Sequence, residues 1–271
     1  MADLQVDENG TVNVEFEFFD PREGDFHTVK RFLAQLFGPD QELLALSALT
    51  DMVVGQKLLG TCVKVDGSES DPYAILTVLN LTEHAAQPHV HGLIDYLVDR
   101  CRKNQAVVDV LNGARQRQPG GWKDVAFLFN ERLINMPVQV VPPMFKMLTE
   151  EIQWALDDHE PYQFEWYALL SKTYREVAPT ADDDMPDAPL PQGKKKKNKK
   201  EPIVYHYHAE DEIVDQFADI KQDFQFSKPP PVADAMRAFQ ESGIAPARRL
   251  YLIRREKMPA LMAALEKAIC A

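Results

Sequence analysis

The chain has 271 residues, of which 42 are acidic and 30 are lysine or arginine, so its net charge is −12 at pH 7. Without the six lysines between Lys194 and Lys200, 24 basic residues remain against 42 acidic ones, a balance of −18. Phosphate contacts need basic patches, so this charge disfavours stable nucleic-acid binding and favours a basic protein as partner. No apolar run approaches the roughly 18 residues of a membrane-spanning helix, and we expect no direct membrane contact.

Helical and strand patterns alternate through the first half of the chain. Apolar and polar residues alternate strictly over residues 12–18, which predicts a strand, and residues 26–37 have the apolar spacing of a helix. Asp40 is predicted to cap a second helix that runs to about Leu49. Residues 58–65 and 73–81 are predicted to form a hairpin, its second strand buried on both faces. A helix follows over residues 93–101, and residues 107–111 continue it or form another.

A strand, a polar turn and a helix over residues 125–155 form the centre of the predicted fold. The apolar run 125–129 is short enough for a buried strand, and residues 130–132 break it with polar side chains. Pro137, Pro142 and Pro143 precede apolar residues at helical spacing, and proline fits the first helical turn. Such a unit usually lies mid-sheet, with its turn at the sheet edge where ligands bind.

The second half contains a segment of a different composition. Residues 163–174, 203–208 and 249–253 are predicted strands, residues 258–269 a helix, and residues 211–220 helical or irregular. Residues 179–202 combine proline, aspartate and lysine with almost nothing to bury, which predicts disorder. We therefore expect one α/β (α+β) domain, a mixed β-sheet flanked by helices. It comprises a flexible N-terminus (1–11), a first part (12–178), a disordered acidic and lysine-rich insertion (179–202) and the remainder (203–271).

Three cysteines, Cys62, Cys101 and Cys270, are far apart in the sequence and odd in number. This pattern favours buried free thiols in a reducing compartment, the cytosol or the nucleus, over a disulfide framework.

Several segments together resemble the BCCIP family, whose fungal members are called BCP proteins. They are YAILTVLNLTEH from Tyr73, FLFNERLINMPVQVVPPMFKMLTEE from Phe127, YALLSKTY from Tyr167 and RLYLIRREKMPALMAALEK from Arg249. The resemblance implies a GNAT-like (acetyltransferase-like) single domain without demonstrated enzyme activity. It also implies a nuclear, shuttling protein that escorts a basic large-subunit ribosomal protein and supports assembly and export of that subunit. Fungal members are linked to nuclear export of a lipid kinase, so an export adaptor for a phosphatidylinositol phosphate kinase is an alternative function.

An acyl-CoA-dependent acetyltransferase is a second alternative, which the sequence disfavours. Enzymes of that fold hold the cofactor pyrophosphate on backbone N–H groups of a Q/R-x-x-G-x-G/A turn. The corresponding residues, 132–138, contain Arg132 but neither glycine, and Pro137 lacks an amide donor. Only another loop, such as residues 118–121, could replace this turn. With no GxSxG, P-loop or Ser–His–Asp order either, we expect no catalytic residue and no cofactor.

Two polar groups are candidates for other roles. Glu131, Arg132 and Asn135 form either a partner-binding cluster or a structural turn fixed by an internal Glu–Arg pair. His206 and His208 are two residues apart on a predicted strand, a spacing that could place both as ligands of one metal ion. A single His-x-His is weak evidence for a metal site. We interpret them as surface imidazoles on an exposed strand face and expect no metal site.

The charged segments suggest how a partner would be recognised. The run of Lys194, Lys195, Lys196, Lys197, Lys199 and Lys200 is predicted to be a nuclear localisation signal that binds an acidic groove on a nuclear import carrier. A solubilising or RNA-contacting tail is the alternative. Acidic residues on the fold either keep the protein soluble or substitute for ribosomal RNA in covering a basic client. These residues are Glu15, Glu17, Glu150, Glu151, Asp157, Asp158, Glu160, Asp211, Glu212 and Asp215.

Overall fold

A computed structural model describes residues 14–56, 58–116, 124–176, 204–228 and 244–270. Its single sheet has the strand order β1-β2-β3-β4-β5-β8-β7, and a short strand, β6, pairs with the far end of β5. β4 and β5 are parallel, and every other neighbouring pair is antiparallel. The strands are β1 (Glu17–Phe19), β2 (Thr61–Lys64), β3 (Ala74–Asn80), β4 (Asp124–Arg132), β5 (Phe164–Glu176), β6 (Val204–His206), β7 (Ile220–Phe224) and β8 (Ile244–Arg254).

Helices cover both faces of this sheet. One face carries α1 (Phe26–Phe37), α2 (Leu46–Gly55), α3 (Pro88–Arg100) and α4 (Gln105–Gly113). The other carries α5 (Val141–Asp157), α6 (Asp211–Phe217) and α7 (Met258–Ile269). Within the described ranges, no helix has the length and apolar character needed to cross a membrane. The prediction of a mixed sheet flanked by helices is confirmed.

The central position of β4 explains its apolar sequence. Val125, Phe127 and Phe129 pack in the core beneath α1–α4, whereas Ala126 and Leu128 pack in the core beneath α5–α7. A strand buried on both faces has no side left for polar residues, so its sequence is a nearly continuous apolar run. The predicted hairpin of β2 and β3 is present, and β3 is buried along its whole length.

Three predicted element boundaries were wrong. Asp40 caps no helix; it is buried and accepts hydrogen bonds from the Tyr96 hydroxyl (3.1 Å) and the Ser227 amide (2.8 Å), while α2 begins at Leu46. The first strand covers Glu17–Phe19, with residues 14–16 in no regular structure. Residues 130–132 do not break β4 but form its last part. The helix expected within residues 211–220 is present as α6, and β7 follows it from Ile220.

Some predictions concern segments that the structure does not describe, and others concern the cysteines. The predicted flexible N-terminus (1–11), the insertion (179–202) with its six lysines and the alternative cofactor loop (118–121) lie outside the described residues. All three cysteines are free thiols, with Cys62 and Cys101 buried as expected. The expectation of burial was wrong for Cys270, which is exposed after the last turn of α7.

Candidate functional site

The two parallel strands at the centre of the sheet pair over only part of their length. The register of β4 and β5 runs from Asp124 opposite Phe164 to Leu128 opposite Leu169. Farther along, residues 173–175 of β5 pair with β6 instead, while β4 stays paired with β3 as far as Arg132. Polar side chains from β4, β5 and the segment after β6 meet where β4 and β5 cease to pair, and we call this group the β4–β5 cluster.

The part of the cluster on the α1–α4 face is a buried ion pair. Lys172 Nζ on β5 lies 2.5 Å from Glu131 Oε2 on β4, and the Glu131 side chain is almost fully buried. The Lys172 ammonium also lies over the ring of Tyr207, 4.4 Å from its centroid, which is a cation–π geometry. Burial raises the pKa of Glu131, and the charge and hydrogen bond of Lys172 oppose that rise.

The part on the α5–α7 face is a larger network. Arg132 on β4 forms a bidentate ion pair with Glu210, and Arg132 Nη2 lies 2.8 Å from Glu210 Oε2. The Ser171 hydroxyl on β5 donates to the carboxylate of Asp211, the first residue of α6. Burial and the neighbouring charge of Glu210 raise the pKa of Asp211, while the Ser171 bond and the Arg132 charge oppose the rise, and the net result is a pKa of about 8. Asp211 is therefore largely neutral at pH 7.

His208, two residues before Glu210 in the chain, is 5% exposed. Burial, together with the charges of Arg132 and Lys172, lowers the pKa of its imidazole to about 2, so the ring is neutral. Within the described residues its Nε2 has no hydrogen-bond partner, and no group of His, Cys, Asp and Glu could hold a metal ion. The interpretation of His208 as a surface imidazole was wrong, because the chain leaves β6 at His206 and turns inward.

The charges of the β4–β5 cluster cancel within it. Two cations, Lys172 and Arg132, are each paired with a buried carboxylate. Buried ion pairs of this kind contribute little net stability, but removing one partner leaves an uncompensated charge. The cluster therefore attaches the segment from β6 to α6 to the centre of the sheet.

The structure separates the three candidate residues Glu131, Arg132 and Asn135, because the first two lie in β4 and the third in the loop that follows. Glu131 and Arg132 are buried and pair with Lys172 and Glu210, so the predicted internal Glu–Arg pair is wrong. Asn135 is exposed in a turn in which the Met136 amide donates to the Leu133 carbonyl at 3.0 Å.

Sequence reasoning missed the partners of Glu131 and Arg132. Ser171 and Lys172 stand in the otherwise apolar segment YALLSKTY, and a lysine inside a buried strand signals a buried carboxylate partner. Nothing in the local pattern indicates that Glu210, 78 residues from Arg132, supplies the other partner.

A family model described as BCCIP matches residues 11–214 of the chain. The chain belongs to the BCCIP family. Its relatives include Protein bcp1 of Schizosaccharomyces pombe, which is 42% identical over 93% of this chain and 89% of that protein. Protein BCP1 of Gibberella zeae is 38% identical over 98% of this chain and 92% of that protein.

A solved structure of a BCCIP-family protein has a similar fold. The crystal structure of BCP1 from Saccharomyces cerevisiae matches with a TM-score of 0.65 and 24% sequence identity, over 95% of this chain and 90% of that one. At this level of identity the match concerns the fold alone.

Proposed function

We propose that this BCCIP-family protein is a non-enzymatic nuclear escort for a basic large-subunit ribosomal protein, called the client below. In this role it would support large-subunit biogenesis and nuclear export, shuttling between nucleus and cytoplasm. The observation that carries the proposal is the charge of the folded surface. Among the described residues, exposed Asp and Glu outnumber exposed Lys and Arg by roughly two to one.

A negative surface suits such a client for a physical reason. A ribosomal protein has a basic face that binds RNA phosphates, and an unassembled basic face attracts RNA indiscriminately. Carboxylates on an escort protein can pair with the same cations and steer their capture. The expected affinity is in the nanomolar range and weakens as salt screens the charges at the interface rim.

The loop after β4 supports a binding function over acyl transfer on a GNAT-like scaffold. Phosphate cradles use free backbone amides at a glycine-rich turn. Here the Leu133 amide donates to Tyr73 O (2.9 Å) and the Met136 amide to Leu133 O, while Pro137 has no N–H. With two of its amides bonded within the protein, no N–H at Pro137 and no glycine, this loop does not match an acyl-CoA pyrophosphate cradle, and we propose no acyl transfer through it.

Affinity capture from nuclear extract tests the proposal. The tagged protein is used as bait, the beads are washed at moderate salt, and the retained proteins are quantified by mass spectrometry. We expect one basic large-subunit ribosomal protein in near-equal amount to the bait, without the rest of the subunit. Whole ribosomal particles, or no basic protein at all, would contradict an escort function.

A further inference from the structure

The outer surface of α5 carries an exposed tryptophan. Trp154 is 63% exposed, and its ring stacks on no aromatic or cationic side chain among the described residues. Tryptophan is the side chain with the most apolar area to bury and is enriched at the centres of protein interfaces.

A cleft runs along the same helix, between α5 and α7. Its larger part has a volume of about 470 Å³. It is lined by Pro142, Pro143, Pro259, Met262 and Ala263 and also by Lys146, Thr149, Glu266 and Cys270. A smaller part of about 200 Å³ adjoins it and continues along α5. Both parts are predominantly apolar, so together they form a groove in which apolar side chains of a partner can be buried.

Acidic side chains surround Trp154 on the helix surface. Glu150, Asp157 and Asp158 are four residues before, three after and four after it, the spacings that place side chains next to each other on a helix. Within the described residues, no lysine or arginine forms an ion pair with Glu150 or Asp158. From Thr149 to Glu160 the sequence has five acidic residues and no lysine or arginine.

We propose that this surface, Trp154 with its flanking carboxylates and the α5–α7 groove, binds a basic amphipathic segment of the client. The proposal, which rests on the proposed function, assigns to that function the surface that contacts the client. A lysine or arginine of the segment stacks on the Trp154 ring, where Glu150, Asp157 and Asp158 neutralise it. Apolar side chains on the other side of the segment enter the groove.

Charge complementarity selects this occupant over others. A second copy of the chain would bring two negative surfaces together, and nucleic acid or an anionic lipid surface would be repelled. A basic segment gains from both the aromatic ring and the carboxylates.

The test measures the dissociation constant of the purified complex with the basic ribosomal protein recovered in the capture experiment. Trp154→Ala should weaken binding about tenfold or more, as expected for an interface hot spot, and Trp154→Phe should retain part of the affinity. Ala263→Phe, which fills the groove without a change of charge, should also weaken binding. All of these residues are exposed, so melting temperatures should stay close to that of the wild type.

Two charge variants separate a local site from a general effect of net charge. One combines Glu150→Gln, Asp157→Asn and Asp158→Asn on α5. The matched control combines Glu23→Gln, Asp51→Asn and Asp109→Asn, three exposed acids on the α1–α4 side of the sheet. Only the first variant should weaken binding markedly and flatten its dependence on salt.

The outcomes distinguish this inference from the proposed function. If the wild type binds no basic ribosomal protein, the proposed function is wrong. If the wild type binds and Trp154→Ala binds equally well, or both charge variants lose the same affinity, the escort function stands and the assignment to α5 is overturned. A wild-type dimer in sedimentation that Trp154→Ala dissociates would also overturn it, in favour of contact between copies.

Discussion

Arg132 and Glu210 are 78 residues apart in sequence and form a buried bidentate ion pair. One lies at the end of the central strand, and the other lies directly before α6. Between them in sequence are α5, β5, the predicted insertion and β6, so this pair connects the two parts of the chain on either side of that insertion. The stability of the second part should therefore depend on it.

Removing one member of this pair should destabilise the protein severely. Arg132→Ala leaves the Glu210 carboxylate buried without a partner, and we expect a loss of about 3–5 kcal/mol in the free energy of unfolding. The double variant Arg132→Met, Glu210→Leu should lose less than the sum of the losses in its own single variants, Arg132→Met and Glu210→Leu. Urea unfolding of all three measures the coupling. Lys228→Ala, which breaks the exposed pair with Glu42, is the control and should change little. Additive single effects would contradict the coupling.

Asp211 should make the protein less stable as the pH rises. Its pKa is about 8 in the folded state and about 3.9 when unfolded, so between these values the folded state binds the additional proton. The contribution of Asp211 to stability is therefore fully present below the unfolded pKa and is lost as the pH rises through the folded pKa. From pH 5 to pH 8, the wild type should lose on the order of 2–4 kcal/mol relative to Asp211→Asn. Parallel pH profiles for the two proteins in thermal unfolding would argue against a neutral Asp211.

His208 has the opposite effect, in the acid range. Its pKa is lowered in the folded state to about 2 from about 6.5 when unfolded, so the unfolded chain binds the additional proton as the pH falls. The contribution is present above pH 6.5 and is lost as the pH falls towards 2. Between pH 7.5 and pH 4.5, the wild type should lose on the order of 2 kcal/mol relative to His208→Phe. An unchanged difference between the two proteins at both pH values would contradict a buried neutral imidazole.

The lysine run should control location and not folding. Replacing Lys194, Lys195, Lys196 and Lys197 with alanine should leave the melting temperature unchanged and shift a fluorescent fusion towards the cytoplasm. The import carrier reads positive charge, so the matched arginine variant should stay nuclear. If the alanine variant also stays nuclear, the signal lies elsewhere or the protein enters bound to its client.

Acetyl-CoA should not bind. A ligand of the native state raises the melting temperature, and one present at a hundred times its dissociation constant adds about 2.7 kcal/mol. We expect no shift at millimolar acetyl-CoA, since the loop from Leu133 to Pro137 lacks the glycines of a phosphate cradle. A known acetyltransferase is the positive control. A reproducible rise of several degrees would restore the enzyme alternative.

The elements whose apolar pattern is visible in their own sequence could be predicted. β3 and β4 were predicted because each is a short, nearly continuous apolar run, and α5 was predicted because its apolar residues repeat at helix spacing. The end of β4 was not, since Glu131 and Arg132 look like a polar break until Lys172 and Glu210 are known to pair with them. β7 was missed because Lys221, Gln222 and Asp223 are polar, and the strand is held by pairing with β8. The structure of such residues depends on contacts with residues distant in sequence, and the local pattern of a single sequence does not show those contacts.

The dissociation constant of the purified complex with a basic large-subunit ribosomal protein, measured as a function of salt, tests the central claim most directly. An escort that substitutes for RNA should bind in the nanomolar range and lose about tenfold or more in affinity between roughly 0.05 and 0.3 M NaCl, because the paired charges become screened. Binding no tighter than that to an unrelated basic protein, or an affinity that stays constant with salt, would contradict it.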